Sequence, residues 1–79
     1  MSVKVLFFAR AKEIAGKAET ESDAATIDLL LKELVTTYGP ELESLLSVSR
    51  LWVNDEPADV NQPLRSGDQV AILPPVSGG

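Results

Sequence analysis

Between Thr26 and Pro40 the chain reads TIDLLLKELVTTYGP, and its apolar residues fall on one line. Ile27, Leu30, Leu31, Leu34, Val35 and Tyr38 stand at i, i+3, i+4, i+7, i+8 and i+11, the spacing of a helix with a single apolar stripe. Thr26 is placed to cap its N-terminus, and Asp28 in the first turn suits the positive end of the helix dipole. Gly39 is the expected C-cap, followed by Pro40, which cannot continue the helix. A chain of 79 residues has room for one core, so the other elements must cover this stripe. Leu31 and Leu34, at its middle, are expected in the centre of that core.

The covering elements are strands. VKVLFFA, residues 3–9, is rich in β-formers and puts Val3, Val5 and Phe7 on one face, Lys4, Leu6 and Phe8 on the other. RAKEIAGK supports one or two helical turns closed by Gly16, and AETES, residues 18–22, returns as a short polar edge strand. ELESLL, residues 41–46, adds a turn of helix that brings Leu42, Leu45 and Leu46 back to the core. RLWVN aims Leu51 and Val53 inward and Arg50 and Trp52 outward. DEP reads as a turn, ADV as a brief pairing, and NQPLRSGD as turn chemistry. In QVAIL, Val70 and Ile72 face inward and Ala71 and Leu73 outward, and Pro74-Pro75 end the ladder because neither donates a hydrogen bond. This order predicts an α+β fold, a β-grasp, with a mixed sheet packed on one main helix and the terminal strands adjacent at its centre. Residues 1–73 form the domain and residues 74–79 a flexible tail.

Composition narrows the function. The chain has no Cys and no His, which excludes thiolate catalysis, disulfides, ordinary zinc sites and any triad built on histidine. Twelve acidic against seven basic residues give a net charge of −5, which argues against nucleic acid and favours a partner with a basic face. Asp55, Glu56 and Asp59 lack the spacing of a calcium loop and read as a solvated turn, so no metal is expected. No P-loop is present, so the domain is not expected to bind ATP itself. No segment is expected to cross a membrane, and without a targeting signal the expected location is cytoplasmic.

Two features remain for function. The first is a set of apolar residues on outward faces: Leu6, Phe8, Trp52, Ala71 and Leu73 share one surface if the strand order is as expected, and such a surface marks a partner site. The second is the ending PPVSGG. Six extended residues reach roughly 20 Å at about 3.3 Å each. Two glycines without Cβ atoms suit a narrow channel. Pro75, Val76, Ser77 and Gly78 would then carry the Gly79 carboxylate into a partner. A carboxylate is a poor electrophile until adenylated, after which a thiocarboxylate, an ester or an amide is accessible. Ser77 has no general base near it in sequence and reads as part of the tail.

VKVLFFARAKEIAG, ATIDLLLKEL, VNDEPA and LRSGDQVAILPPVSGG together resemble the small subunit of molybdopterin synthase, the sulfur-carrier family of molybdenum cofactor biosynthesis, over nearly the whole chain. The resemblance implies a ubiquitin-like fold and a non-catalytic sulfur-donor subunit. It implies that Gly79 is adenylated by an ATP-dependent partner enzyme, which alone uses ATP, and is then converted to a thiocarboxylate. The tail would insert into the large synthase subunit of a heterotetramer and give sulfur to cyclic pyranopterin monophosphate. Phe8 and Leu73 match positions of the family's hydrophobic partner surface. A thiamine-pathway sulfur carrier shares the fold and the Gly-Gly end, a ubiquitin-like modifier would use Gly79 to conjugate lysines, and a plain interaction module would leave the Gly-Gly end unexplained.

Overall fold

A computed structural model describes residues 2–75. Its elements are β1 (Val3–Phe7), α1 (Arg10–Ala15), β2 (Glu19–Ser22), α2 (Ile27–Tyr38), α3 (Pro40–Leu46), β3 (Arg50–Val53), β4 (Glu56–Pro57) and β5 (Gln69–Leu73). The five strands form one mixed sheet in the order β2-β1-β5-β3-β4. The two terminal strands run parallel at its centre, Val5 opposite Val70 and Phe7 opposite Ile72. This is the β-grasp arrangement expected from the element order.

The strand parities hold. Val3, Val5, Phe7, Val53, Val70 and Ile72 are buried, and they meet Ala11 of α1, Ile27, Leu30 and Leu34 of α2, and Leu42 of α3 in one core. Tyr38 closes its edge by packing against Phe7 with ring centroids 5.6 Å apart and planes at 83°, the edge-to-face geometry that aromatic quadrupoles favour. Arg10 ties α1 to α3 through a 2.8 Å ion pair with Glu41.

Local signals operate as the residue types dictate. The Thr26 hydroxyl accepts the Leu29 N–H at 3.2 Å. Gly16 caps α1 with φ at 74°, a left-handed conformation that costs glycine little. The Gly39 N–H donates to Val35 C=O, but Pro40 does more than end α2. It is the first residue of α3, a position where a missing N–H and a fixed φ favour helix initiation. The single expected main helix is therefore accompanied by two short ones.

Three expectations change in detail. β1 ends at Phe7, because Ala9 adopts φ of 51° and turns the chain into α1. The brief pairing falls at Glu56–Pro57 rather than at ADV: Asn54 and Asp55 both take positive φ, which makes a tight two-residue hairpin and draws the strand forward. Leu31 is half-buried beside the core, while Leu34 is 2 % exposed within it. The stripe is wider than the sheet can cover, so its flank at Leu31 and Val35 is left half-open.

A polar clasp fixes the start of β5. The Asp68 carboxylate accepts the Arg65 N–H at 2.8 Å and the Asn54 side-chain amide at 2.9 Å, and Asn54 Oδ1 accepts the Gln69 N–H at 3.0 Å. These donors, the Arg65 N–H foremost and then Asn54, hold the Asp68 carboxyl below its ordinary value of 3.8.

Two outcomes follow for stability. Leu34→Ala should cost about 2–5 kcal/mol in urea melts, and Leu31→Ala less than half as much; equal losses would mean that both side chains lie in the core. A carboxyl depressed by folding adds stability that is present above its unfolded pKa and lost as pH falls through its folded value. The stability advantage of the parent over Asp68→Asn should therefore shrink when urea melts are taken from about pH 6 down to about pH 2.5, and a constant advantage would show that the clasp does not depend on the charge.

Candidate functional site

The sheet has one face against the helices and one face open. On the open face, Leu6 of β1 lies opposite Ala71 of β5, and Ala71 lies opposite Trp52 of β3. One apolar row thus crosses three neighbouring strands, and Pro57 extends it to β4 as the partner of Trp52. Leu73 follows Ala71 on the same face two residues on, with Arg50 as its cross-strand neighbour. Phe8 stands just past the end of β1 and is 44 % exposed. Four of the five expected surface residues are therefore brought to one face, each half-buried, and Phe8 is exposed in the turn just past β1.

The polar surroundings of this row are sparse. Lys4 reaches Glu19 of the neighbouring edge strand at 3.5 Å, which leaves its ammonium at the β2 side. Arg50 enters no ion pair among the described residues. Pro57 was not legible as a member of this face, because its inclusion needs the hairpin register at Asn54-Asp55, whereas Arg50 was expected outward with Trp52 and only its place opposite Leu73 needed the β3–β5 pairing. The apolar row can exclude water from a partner surface, and the cation beside Leu73 can pair with a carboxylate there.

β5 ends at Leu73, and Pro74 and Pro75 lie outside the sheet. Because β5 sits between β1 and β3, the chain leaves from the middle of the sheet edge, next to Phe8 and Arg50. Val76, Ser77, Gly78 and Gly79 lie outside the described residues. Among the described residues no three His, Cys, Asp or Glu side chains converge on a metal position. Asp55, Glu56 and Asp59 are exposed, and the Asp59 carboxylate accepts the Asn61 N–H at 2.9 Å in a local turn. No helix of the described residues is long and apolar enough to cross a membrane.

The adjacent phenylalanines, Phe7 buried and Phe8 exposed, give a direct test of this assignment. Phe7→Ala should cost about 3–5 kcal/mol, whereas Phe8→Asp should leave the urea midpoint of the isolated chain within about 1 kcal/mol of the parent. A large loss at Phe8 would place it in the core rather than at the surface.

The ThiS family model matches residues 5–79. The molybdopterin synthase sulfur carrier subunit of Chlamydomonas reinhardtii is 38% identical over 85 residues, covering 100% of both chains. Among solved structures, SAMP1 from Haloferax volcanii superposes with a TM-score of 0.88 at 31% identity and 100% coverage of both chains. A chain of the complex of subunits 1 and 2 of molybdopterin-converting factor from Helicobacter pylori superposes with a TM-score of 0.74, also at 31% identity and full coverage of both.

Proposed function

From the premise that this chain belongs to the ThiS family and to the molybdopterin synthase sulfur carrier subunits, we propose that Gly79 is its working residue and the open sheet face its docking surface. The full-length match to relatives of that name carries the reading. The chain's own features support it: a Gly-Gly ending without Cys or His elsewhere, leaving from a central strand beside an apolar face.

The chemistry is a relay at one carbonyl. A partner enzyme uses ATP to join the Gly79 carboxylate to AMP, releasing pyrophosphate. A sulfur nucleophile attacks the acyl carbon and AMP departs, which leaves a thiocarboxylate. In the large synthase subunit that sulfur bonds to a carbon of cyclic pyranopterin monophosphate as the carbon–oxygen bond there breaks and the oxygen group leaves. Hydrolysis of the resulting acyl–sulfur link returns the Gly79 carboxylate and leaves the sulfur on the pterin. A second chain charged with sulfur supplies the second sulfur of the dithiolene. The small chain holds no acid or base for these steps. It contributes a reactive group at the end of a thin tail and a surface that orients it. Pro75, Val76, Ser77 and Gly78 form the inserted tail, while Leu6, Phe8, Trp52, Ala71 and Leu73 dock in turn on the adenylating enzyme and on the large subunit. That order fits one face used twice, and the complex of subunits 1 and 2 in Helicobacter pylori supports a large-subunit partner.

A second reading is favoured by the full-length likeness to a small archaeal modifier protein. The same adenylate would pass Gly79 to a lysine amine, forming an isopeptide bond. Both readings need activation at Gly79, and they diverge at the acceptor.

Reconstitution of both synthase subunits, adenylating enzyme, ATP and a sulfur source separates them. Deleting Gly79 or adding one residue after it should abolish molybdopterin formation while leaving docking nearly unchanged. One residue displaces the reacting carbon by roughly 3.3 Å, and about 1 Å can already cost a hundredfold in rate. Phe8→Asp should fail earlier, at docking, because association would bury an unpaired charge. Intact-mass analysis should show one oxygen replaced by sulfur in the activated parent. Normal product from either Gly79 variant would end the carrier reading, and lysine-linked conjugates without pterin product would favour the modifier.

A further inference from the structure

Two departures from ordinary behaviour stand side by side just past β1. Phe8 is 44 % exposed, and among the described residues no other aromatic side chain is in the exposed class. Ala9 follows with φ 51° and ψ −125°. That combination lies outside the left-handed helical basin and matches the first central position of a type II′ turn, a place for glycine. The Ala11 N–H closes this turn on Phe8 C=O at 3.1 Å. The other non-glycine residues of positive φ are Asn54 and Asp55, whose short polar side chains suit such backbone; alanine has nothing to compensate its Cβ.

The core holds this turn from both ends. Phe7 is 2 % exposed, packs on Tyr38, and donates its N–H to Ala18 C=O at 2.8 Å. Ala11 is fully buried. Ala9 C=O accepts the Lys12 and Glu13 N–H groups at 3.0 and 3.2 Å as α1 begins, and Arg10 is tied to Glu41 of α3. Residues 7 and 11 are thus fixed, and Ala9 absorbs the sharp change of direction between them. Phe8 is left at the surface, level with the end of β5, because Phe7 is the partner of Ile72.

We propose that Ala9 is a positioning residue, whose left-handed backbone presets Phe8 beside the exit of β5 for the partner that seats on the open sheet face. The identity of that partner rests on the proposed function; the geometry of the turn does not. Strain at an exposed residue and an exposed aromatic ring both work against the isolated fold. Together they serve association, because an anchor fixed in advance does not lose that freedom on binding.

Affinity for the large synthase subunit, measured by calorimetry, is to be compared with hydrogen exchange of the Ala11 amide, which reports the turn without a partner. Ala9→Gly accepts the same backbone, so it should raise the urea midpoint and bind within about twofold of the parent. Ala9→Val, whose branched Cβ excludes positive φ, should speed Ala11 exchange about tenfold or more with circular dichroism unchanged. It should also weaken binding about fivefold or more, and in a Phe8→Ala background the same change should alter affinity less than about twofold. Equal losses in both backgrounds would overturn the proposal, since the turn would then act on the fold and not through Phe8. Undiminished Ala11 protection in Ala9→Val, or parent-like binding after that protection is lost, would overturn it too. If Ala9→Val does not fold, a ligated chain with the D-enantiomer of alanine at position 9 decides: parent-like affinity at a higher urea midpoint is expected, and weaker binding overturns. Phe8→Ala binding as tightly as the parent would remove Phe8 from the docking surface and this role of Ala9 with it, whereas failure of the Ala9 variants alone leaves the docking surface standing.

Discussion

The parallel pairing of β1 with β5 is the contact on which the rest of the molecule depends. It joins the two ends of the chain, Val5 against Val70 and Phe7 against Ile72, at a large loop-closure cost that only a well-formed core offsets. Ile27, Leu30 and Leu34 join the buried residues of both strands in that core. With no disulfide among the described residues and no cysteine in the chain, hydrophobic burial carries the stability of a domain of marginal size. The same pairing places the exit of the C-terminal segment in the middle of the sheet edge rather than at its side.

A central exit has a functional consequence. The open face extends on both sides of β5, from Leu6 to Trp52, so a partner seated on it surrounds the point where the tail begins. Under the proposed function, docking energy and the point where the chain leaves β5 would be set by one sheet. Such coupling suits a protein whose reactive group must reach a fixed centre in another molecule, because each residue of slack would cost rate. The chain is alike both to sulfur carrier subunits and to a small archaeal modifier, proteins of different printed roles on one scaffold.

Much of this was legible in the residues themselves. Alternation in VKVLF and QVAIL told inward from outward, since a strand's side chains alternate whatever the strand pairs with. Thr26 and Gly16 marked helix ends through local hydrogen bonding and backbone freedom, which need no tertiary context. The outward apolar residues could be listed for the same reason. What periodicity did not reveal was the start of α3 at Pro40, the forward position of β4 and the half-exposure of Leu31, because each depends on how far a neighbouring element extends.

The sequence by itself determined the element types, the two faces of each strand, the absence of histidine and cysteine chemistry, and the apolar residues available for a partner. Only the tertiary structure decided that those residues form one row, that Pro57 joins them, that Arg50 stands opposite Leu73, and that a groove opens between α2 and β3. The reason is physical. A side chain's face follows from local backbone geometry, whereas its neighbours follow from strand register, and register is settled by the hairpin at Asn54-Asp55 and the packing of the whole core.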